Sequence, residues 1–469
     1  MGILTASACQ VQGQLGPVEW LPEWGQAGWS NPALLHPSGG HVLLGGMSGL
    51  QLQASHSGPS YFEFIGGDGT VDPALLLERM DPVETIGFRS EIPLISVGFK
   101  EDERVEFRLR SRLVADQQTA YDRDMFDVAW RGNGHPDIMG RTLDFSEFGV
   151  NGQAYLDHGL SVGAMAKEDR LWLGWGIHIL NGLGALQTER FEATWMTDTL
   201  DYSWDVQGSA TVNSAGFNLD SLLEGGVVWS NDSGLIPPTI GSGVAFDYGF
   251  LYRITPNVSL EGSIEGRGGL RWLESVTRKE VNSGAFILEG LDLVSEWRDA
   301  DSLPLDSVPV VLEAWLGGLA DSLEQSFPLE ATPGVAAAFD TRIQETWRLG
   351  LRIRPVDEIE ISAVVYRQFR FGRSLDGGLL GLTYRLGNYL LVHGQCQFYD
   401  ARWLWGGGLS VRGGPVRWSV SARNIPAVFW PLDAGNWHIQ TGISLDFGYK
   451  QERTKRRKND LGSGKGMWH

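Results

Sequence analysis

The sequence predicts an all-β fold, a transmembrane antiparallel β-barrel of about 14–16 strands. Three observations predict it. Two-faced segments alternate for longer than globular strands do, tight turns separate them, and no apolar run approaches the ~20 residues of a membrane helix. A chain that spans a membrane without helices must close its sheet, because every backbone group then finds a partner.

The last strand is the clearest. Trp437, Ile439, Thr441, Ile443, Leu445, Phe447 and Tyr449 share one face, and His438, Gln440, Gly442, Ser444, Asp446, Gly448 and Lys450 share the other. The same alternation sets Val105, Phe107, Leu109, Ser111 and Leu113 against Glu106, Arg108, Arg110 and Arg112. It sets Trp347, Leu349, Leu351 and Ile353 against Arg348, Gly350, Arg352 and Arg354. Trp418, Val420 and Ala422 oppose Arg417, Ser419, Ser421 and Arg423, and Trp204, Val206, Gly208, Ala210 and Val212 oppose Ser203, Asp205, Gln207, Ser209 and Thr211. A soluble sandwich also alternates, but rows of arginine opposite an apolar face fit a lumen. The expected lumen-facing charges are Glu106, Arg108, Arg110, Arg112, Arg348, Arg352 and Arg354. An unpaired buried charge is costly, so these arginines require carboxylates: Glu106, Glu345, Glu360 or groups on a plug. The acidity of the chain favours internal pairing over a strongly cationic pore.

Short turns are expected at Glu101 to Glu103, Lys167 to Asp169, Thr255 to Asn257, Pro355 to Glu358, Gly387 to Asn388 and Gly413 to Pro415, with a seventh at Asp198 to Asp201. Longer connections cover 58–81, 118–144, 214–240 and 269–340. Short turns on the periplasmic side and long loops outside are the habit of outer-membrane barrels. Seven short turns then imply about sixteen strands, or about fourteen if the Asp198 turn belongs to an outer hairpin. Helices are expected over 72–80, where Asp72 precedes Pro73, over 122–131, and over 307–326, where Val311, Leu312, Trp315, Leu316, Leu319 and Leu323 recur at helical spacing.

Composition agrees. The 469 residues include 62 Gly, suited to turns and close strand packing, and 19 Trp, suited to aromatic girdles. The net charge of -19 argues against nucleic-acid binding. The exception is a basic cluster of Lys450, Arg453, Lys455, Arg456, Arg457 and Lys458, read as a solvated tail or a contact for anionic lipid or an acidic periplasmic partner. Cys9 and Cys396 alone cannot build a disulfide framework or a zinc site. The expected organisation is a signal-peptide remnant over 1–12, a hatch over 13–40, the barrel over 41–450 and a basic periplasmic tail over 451–469.

Several segments in order resemble an uncharacterised family of outer-membrane barrels found mainly in Bacteroidetes-type, Gram-negative bacteria. They are Trp29-Ser30-Asn31-Pro32-Ala33-Leu34-Leu35, Leu43-Leu44-Gly45-Gly46 leading to Ser48-Gly49-Leu50, Gly87-Phe88-Arg89, and Met125-Phe126 through Trp130-Arg131-Gly132-Asn133-Gly134. Gly149-Val150-Asn151 with Tyr155, and Leu319-Ala320-Asp321-Ser322-Leu323, complete the set. The resemblance implies fold and an outer-membrane location. Asn31-Pro32-Ala33 is also similar to a motif of fatty-acid-transporter-type barrels and their relatives in the type 9 secretion apparatus, in which the N-terminal segment folds into the lumen. That likeness implies a hatch turn at Asn31, Pro32 and Ala33, with Trp20, Trp24 and Trp29 as anchors.

For chemistry the sequence offers little. Gly159-Leu160-Ser161-Val162-Gly163 fits a nucleophile-elbow pattern, but lies within one continuous strand rather than at a strand-to-helix turn. The nine His show no metal spacing. No catalytic residue, metal or cofactor is assigned. Two functions are carried forward: a plugged channel for a small or hydrophobic solute, and a non-conducting scaffold or anchor in a cell-envelope complex of the secretion or motility type.

Overall fold

The computed structural model describes residues 21–43, 45–46, 49–59, 73–101, 104–132, 134–200, 202–216, 239–288, 330–331, 338–399, 402–430 and 435–448. The signal remnant, the first part of the expected hatch, Trp20, the helix over 307–326 and the basic tail lie outside them. The strands are β1 Gly40–Leu43, β2 Leu50–His56, β3 Val83–Glu101, β4 Val105–Asp122, β5 Thr142–Asp144, β6 Gly149–Lys167 and β7 Leu171–Thr197. They continue with β8 Trp204–Ala215, β9 Gly241–Thr255, β10 Val258–Trp272, β11 Val276–Leu288, β12 Glu330–Ala331, β13 Phe339–Arg342 and β14 Glu345–Val356. The last are β15 Ile359–Arg370, β16 Arg373–Leu386, β17 Leu390–Tyr399, β18 Arg402–Gly413, β19 Val416–Ala422 and β20 Asn436–Phe447. Helices α1 Ala27–Ser30, α2 Pro73–Arg79, α3 Arg123–Arg131 and α4 Ile425–Phe429 interrupt them. The helices expected over 72–80 and 122–131 are both present.

The wall is a closed antiparallel barrel of fourteen strands. β1 and β2 together form the first wall strand, since both pair with β3 on one side and β20 on the other. The wall continues through β4, β6, β7, β9 and β10. It then passes through β13 with β14, and through β15 to β20. Six of the seven expected short turns gather at the end where Gly40 meets Phe447. The seventh, at Asp198, follows the far end of β7, so the lower strand count is the correct one.

Two features depart from the sequence reading. β7 leaves the wall after about residue 184 and pairs instead with β8, which pairs with β11, so a sheet projects beyond the rim. The alternating set around Trp204 belongs to this projection, not to the wall. Its alternation has the same period as a wall strand, so periodicity could not separate them. At the far end, β15 and β16 join through Phe371 and Gly372 alone, both at positive φ (46° and 80°), as a two-residue hairpin turn favours. The sequence reading named no turn there; phenylalanine is not a residue that signals one.

The polarity of the barrel is inverted relative to a soluble fold. Ile179, Val365 and Leu380 on the outer face are each 59% exposed, whereas Glu106 and Arg108 on the inner face are each 1% exposed. Outward aromatics mark two levels: Phe88 and Phe99 on β3 lie eleven residues apart, and Phe398 on β17 lies nine from Tyr389. At about 3.3 Å per residue and a tilt of about 40°, these separations span roughly 23–28 Å, close to the ~25 Å apolar band of membrane barrels. Val365→Arg, at mid-height on β15, is expected to cost about 2–4 kcal/mol, and Leu386→Arg near the short-turn rim about 0–1 kcal/mol. Urea unfolding in lipid vesicles measures both; equal costs would contradict the membrane placement.

Within the first wall strand, β1 ends at Leu43 and β2 begins at Leu50. Opposite this step, β3 bulges between Pro93 and Ile95, and the Gly46 N–H donates to the Pro93 carbonyl at 2.7 Å. Pro93 has no N–H for the ladder, which fits its place at a bulge.

Candidate functional site

Residues 21–38 lie inside the barrel at the short-turn end, almost wholly buried. Leu21 and Trp24 pack with Val364, Tyr366, Leu375, Leu379 and Leu391 of the wall. One helical turn, α1, leads into Asn31-Pro32-Ala33. Asn31 Oδ1 accepts from the Ala33 N–H at 3.1 Å, and the Asn31 carbonyl accepts from the Leu34 N–H at 3.0 Å. Asn folds the chain back on its own backbone in this way, and Pro32 adds a restricted φ. Asn31 Nδ2 then donates to the Phe250 carbonyl of β9 at 3.3 Å.

The wall is hollowed to receive this turn. Gly163 on β6 pairs with Gly174 on β7, and Gly174 pairs with Gly249 on β9. A Cβ on Gly163 would stand 2.2 Å from the Pro32 carbonyl oxygen, one on Gly174 2.3 Å from the Ala33 nitrogen, and one on Gly249 2.0 Å from Asn31 Oδ1. The same cross-strand row extends to Glu106 on one side and to Ser263 and Arg348 on the other. Side chains paired across strands share a face, so the seat is bare in its middle and charged at both ends.

Those ends hold the segment. Glu106 accepts the His36 N–H at 2.6 Å and is bridged by Arg108 through Nε at 3.0 Å and Nη2 at 2.8 Å. Arg108 Nη1 donates to the Gly28 and Pro32 carbonyls, each at 3.1 Å, and Nη2 donates to the Leu34 carbonyl. Arg348 donates to the Ser30 carbonyl at 3.2 Å and pairs with Glu265 at 2.8 Å. Glu23 pairs with Arg385 at 2.6 Å, and Arg385 also reaches Glu360 at 3.2 Å. Burial alone would raise the Glu23 carboxyl, but Arg385, with help from Arg354, holds it well below the ordinary carboxylate range. The stability from this pair is therefore complete above the ordinary carboxylate pKa and is lost only as pH falls through the depressed value.

Above the segment lies a second ionic network. Arg89 bridges Glu91 and Asp116, Arg112 bridges Glu91 and Asp157, and Arg110 reaches Asp157 at 3.2 Å. His178 joins Asp157 at 2.7 Å and Asp247 at 2.6 Å. Arg370 of β15 crosses the lumen to Asp116 of β4 and to the Phe88 and Gln117 carbonyls. Beyond it, Trp272, Leu270, Phe339 and Ile343 pack with Val114, Tyr155 and Leu180 in an apolar cluster. Between the segment below and these contacts above, a cavity of about 960 Å³, counting its open mouth, is lined by Trp29, Arg89, Glu91, Arg110, Arg112 and Arg348. Leu43, Gly49, Pro93 and Ile95, around the step from β1 to β2, also line it.

Of the seven expected lumen charges, six lie on the inner face, and Arg354 stands at the rim with its side chain 45% exposed. Glu106, Arg108, Arg110 and Arg348 touch the segment, Arg112 lines the cavity, and Arg352 and Arg354 pair with Glu360 near the short-turn rim. Glu345 does not serve as a lumen partner: it shares the outward face with Trp347, whose Nε1 it accepts at 2.6 Å. The sequence reading missed Asp157, His178, Asp247 and Arg370, which stand apart from any row of charges on their strands, and Asp116, which lies beyond Arg112 at the end of the arginine row of β4. It also missed the glycine row, visible only once register aligns three strands. Ser161 points into the lumen, but its Oγ makes no hydrogen bond, and the nearby His178 engages carboxylates through both ring nitrogens.

A family described as one of unknown function (DUF5723) matches residues 32–422. The chain belongs to that family. Among solved structures, this DUF5723 barrel is similar to the toluene transporter TbuX of Ralstonia pickettii (11% identity, 90% of this chain and 93% of that one, TM-score 0.42). It is also similar to a FadL homologue of Pseudomonas aeruginosa (10% identity, 91% and 94%, TM-score 0.39). A third is the translocator domain of the autotransporter NalP from Neisseria meningitidis (9% identity, 87% and 89%, TM-score 0.32). No curated protein matches the DUF5723 chain by sequence.

Proposed function

We propose that this protein is an outer-membrane channel held closed by its own N-terminal segment, which acts as a plug and moves to admit a small polar solute. The carrying observation is the cavity whose floor is the segment itself, at Trp29 and Ser30. Its lining is charged, which favours a polar solute over a hydrophobic one. The plug is fastened by a few discrete polar clamps on a glycine seat, an arrangement that can come apart as a unit. The outer aromatic levels contact outer-membrane lipid.

Planar-bilayer recording tests the reading. The wild-type protein is expected to give rare or small openings, and deletion of residues 21–38 long-lived, larger ones. Silence from both forms would overturn it. That outcome would favour the second reading, a non-conducting scaffold in an envelope complex with docking through loops or the basic tail. The contact of Arg370 with Asp116 across the lumen speaks for it, because it joins two wall strands without involving the plug.

A further inference from the structure

The cavity lining holds more arginine than carboxylate in a chain of net charge -19. Five guanidinium groups line it, from Arg89, Arg110, Arg112, Arg348 and Arg423, against the carboxylates of Glu91 and Glu265. Most of these arginines are spoken for. Arg89 and Arg112 each bridge two carboxylates, and Arg348 holds Glu265 and the Ser30 carbonyl. Arg110 differs. It is 6% exposed, its Nη2 makes long contacts to Asp157 and His178 at 3.2 and 3.4 Å, and its Nη1 makes no hydrogen bond among the described residues. Its guanidinium lies 4.6 Å from the ring centroid of Trp29, on the plug.

A buried arginine with an unfilled donor, facing a cavity, is short of an acceptor; leaving such a donor unmet is costly. Water fills that role weakly. A small oxyanion fills it with a charge-assisted bond, and a guanidinium suits the planar oxygens of a carboxylate. We infer that the cavity is a binding site for a small oxyanion, most suitably an organic carboxylate, with Arg110 as the recognising group. This deepens the channel reading, on which it rests, by naming the solute class. It also places the bound anion against the cation–π contact between wall and plug, so that ligand and plug share one side chain.

The test is calorimetric titration of the detergent-solubilised full chain, which does not depend on conductance. Benzoate is the carboxylate probe, inorganic phosphate the alternative oxyanion, and benzamide the neutral isostere. The expected result is saturable benzoate binding, no benzamide binding, and a loss of about tenfold or more in benzoate affinity for Arg110→Gln, as removal of one charge-assisted bond implies. Heat-modifiable gel mobility establishes that the variant is folded. Phosphate binding without benzoate binding would overturn the carboxylate assignment. Equal binding of benzamide, or unchanged affinity in a folded Arg110→Gln barrel, would overturn the site. Benzoate binding by a barrel silent in both bilayer experiments would leave the site standing and remove the channel.

Discussion

Gly174→Val is expected to unseat the N-terminal segment while leaving the barrel wall intact. A Cβ at this position would stand 2.2 Å from the Pro32 carbonyl carbon and 2.3 Å from the Ala33 nitrogen. Both are backbone atoms in a turn constrained by a proline, so neither can swing aside as a side chain could. Overpacking usually costs about 1–3 kcal/mol, and a clash with rigid backbone belongs at or above the top of that range. The strand has no such objection, since valine suits β structure. The cost therefore falls on the seated state alone. Proteolysis by a glutamate-specific enzyme reads it directly: Glu23 is partly buried and paired with Arg385 in the wild type, and should become more readily cleavable in the variant. Gly163→Val is expected to do the same. A variant that stays protected at Glu23, with unchanged bilayer behaviour, would contradict the glycine seat.

Arg108→Met should be the most destabilising of the single charge removals. It strands Glu106, 1% exposed, and leaves the Gly28, Pro32 and Leu34 carbonyls without their donor. Breaking a buried pair by removing one member costs about 3–5 kcal/mol, because the remaining charge stays in a poor environment. The double variant Glu106→Gln with Arg108→Met should recover part of that loss, since no buried charge then remains unpaired. Arg354→Ala is the contrast. Its side chain is 45% exposed, and Glu360 keeps Arg352 and Arg385. Its cost should stay below about 1 kcal/mol, as for solvent-accessible pairs. Urea unfolding in lipid vesicles orders the three; equal costs for Arg108 and Arg354 would refute the clamp.

The wall was legible because its period is two and its apolar face is continuous. Trp347, Leu349 and Leu351 announce a lipid-facing strand whatever lies beside it. The charges of β4 and β14 were legible for the same reason: rows of arginine on one face exclude the lipid side. Glu345 was misplaced because it follows a connection, where phase is set by the break between β13 and β14 rather than by alternation. The clamp itself could not be read. It depends on which residues face each other across a lumen, and that follows from register and closure, not from local pattern. The glycines are the extreme case. Singly they look like turn or bulge residues, and only the pairing of Gly163 with Gly174 and Gly249 makes them a surface.

The seam where the barrel closes joins residues 40–56 to residues 436–447, almost the full length of the chain apart. A contact so distant in sequence forms late, after the strands between have paired. The seam strand continues directly from Ser38, which anchors the inner segment through His36 and the Gly40 carbonyl. Closing the cylinder thus fastens the segment's C-terminal end to the wall at the same moment. Once the ring is complete, a segment left outside would have to thread back through a mouth crowded by its own clamps. The order of birth therefore matters: the occupant must be aboard before the hull is sealed, and an assembly factor that delays the last strand would give it time to board.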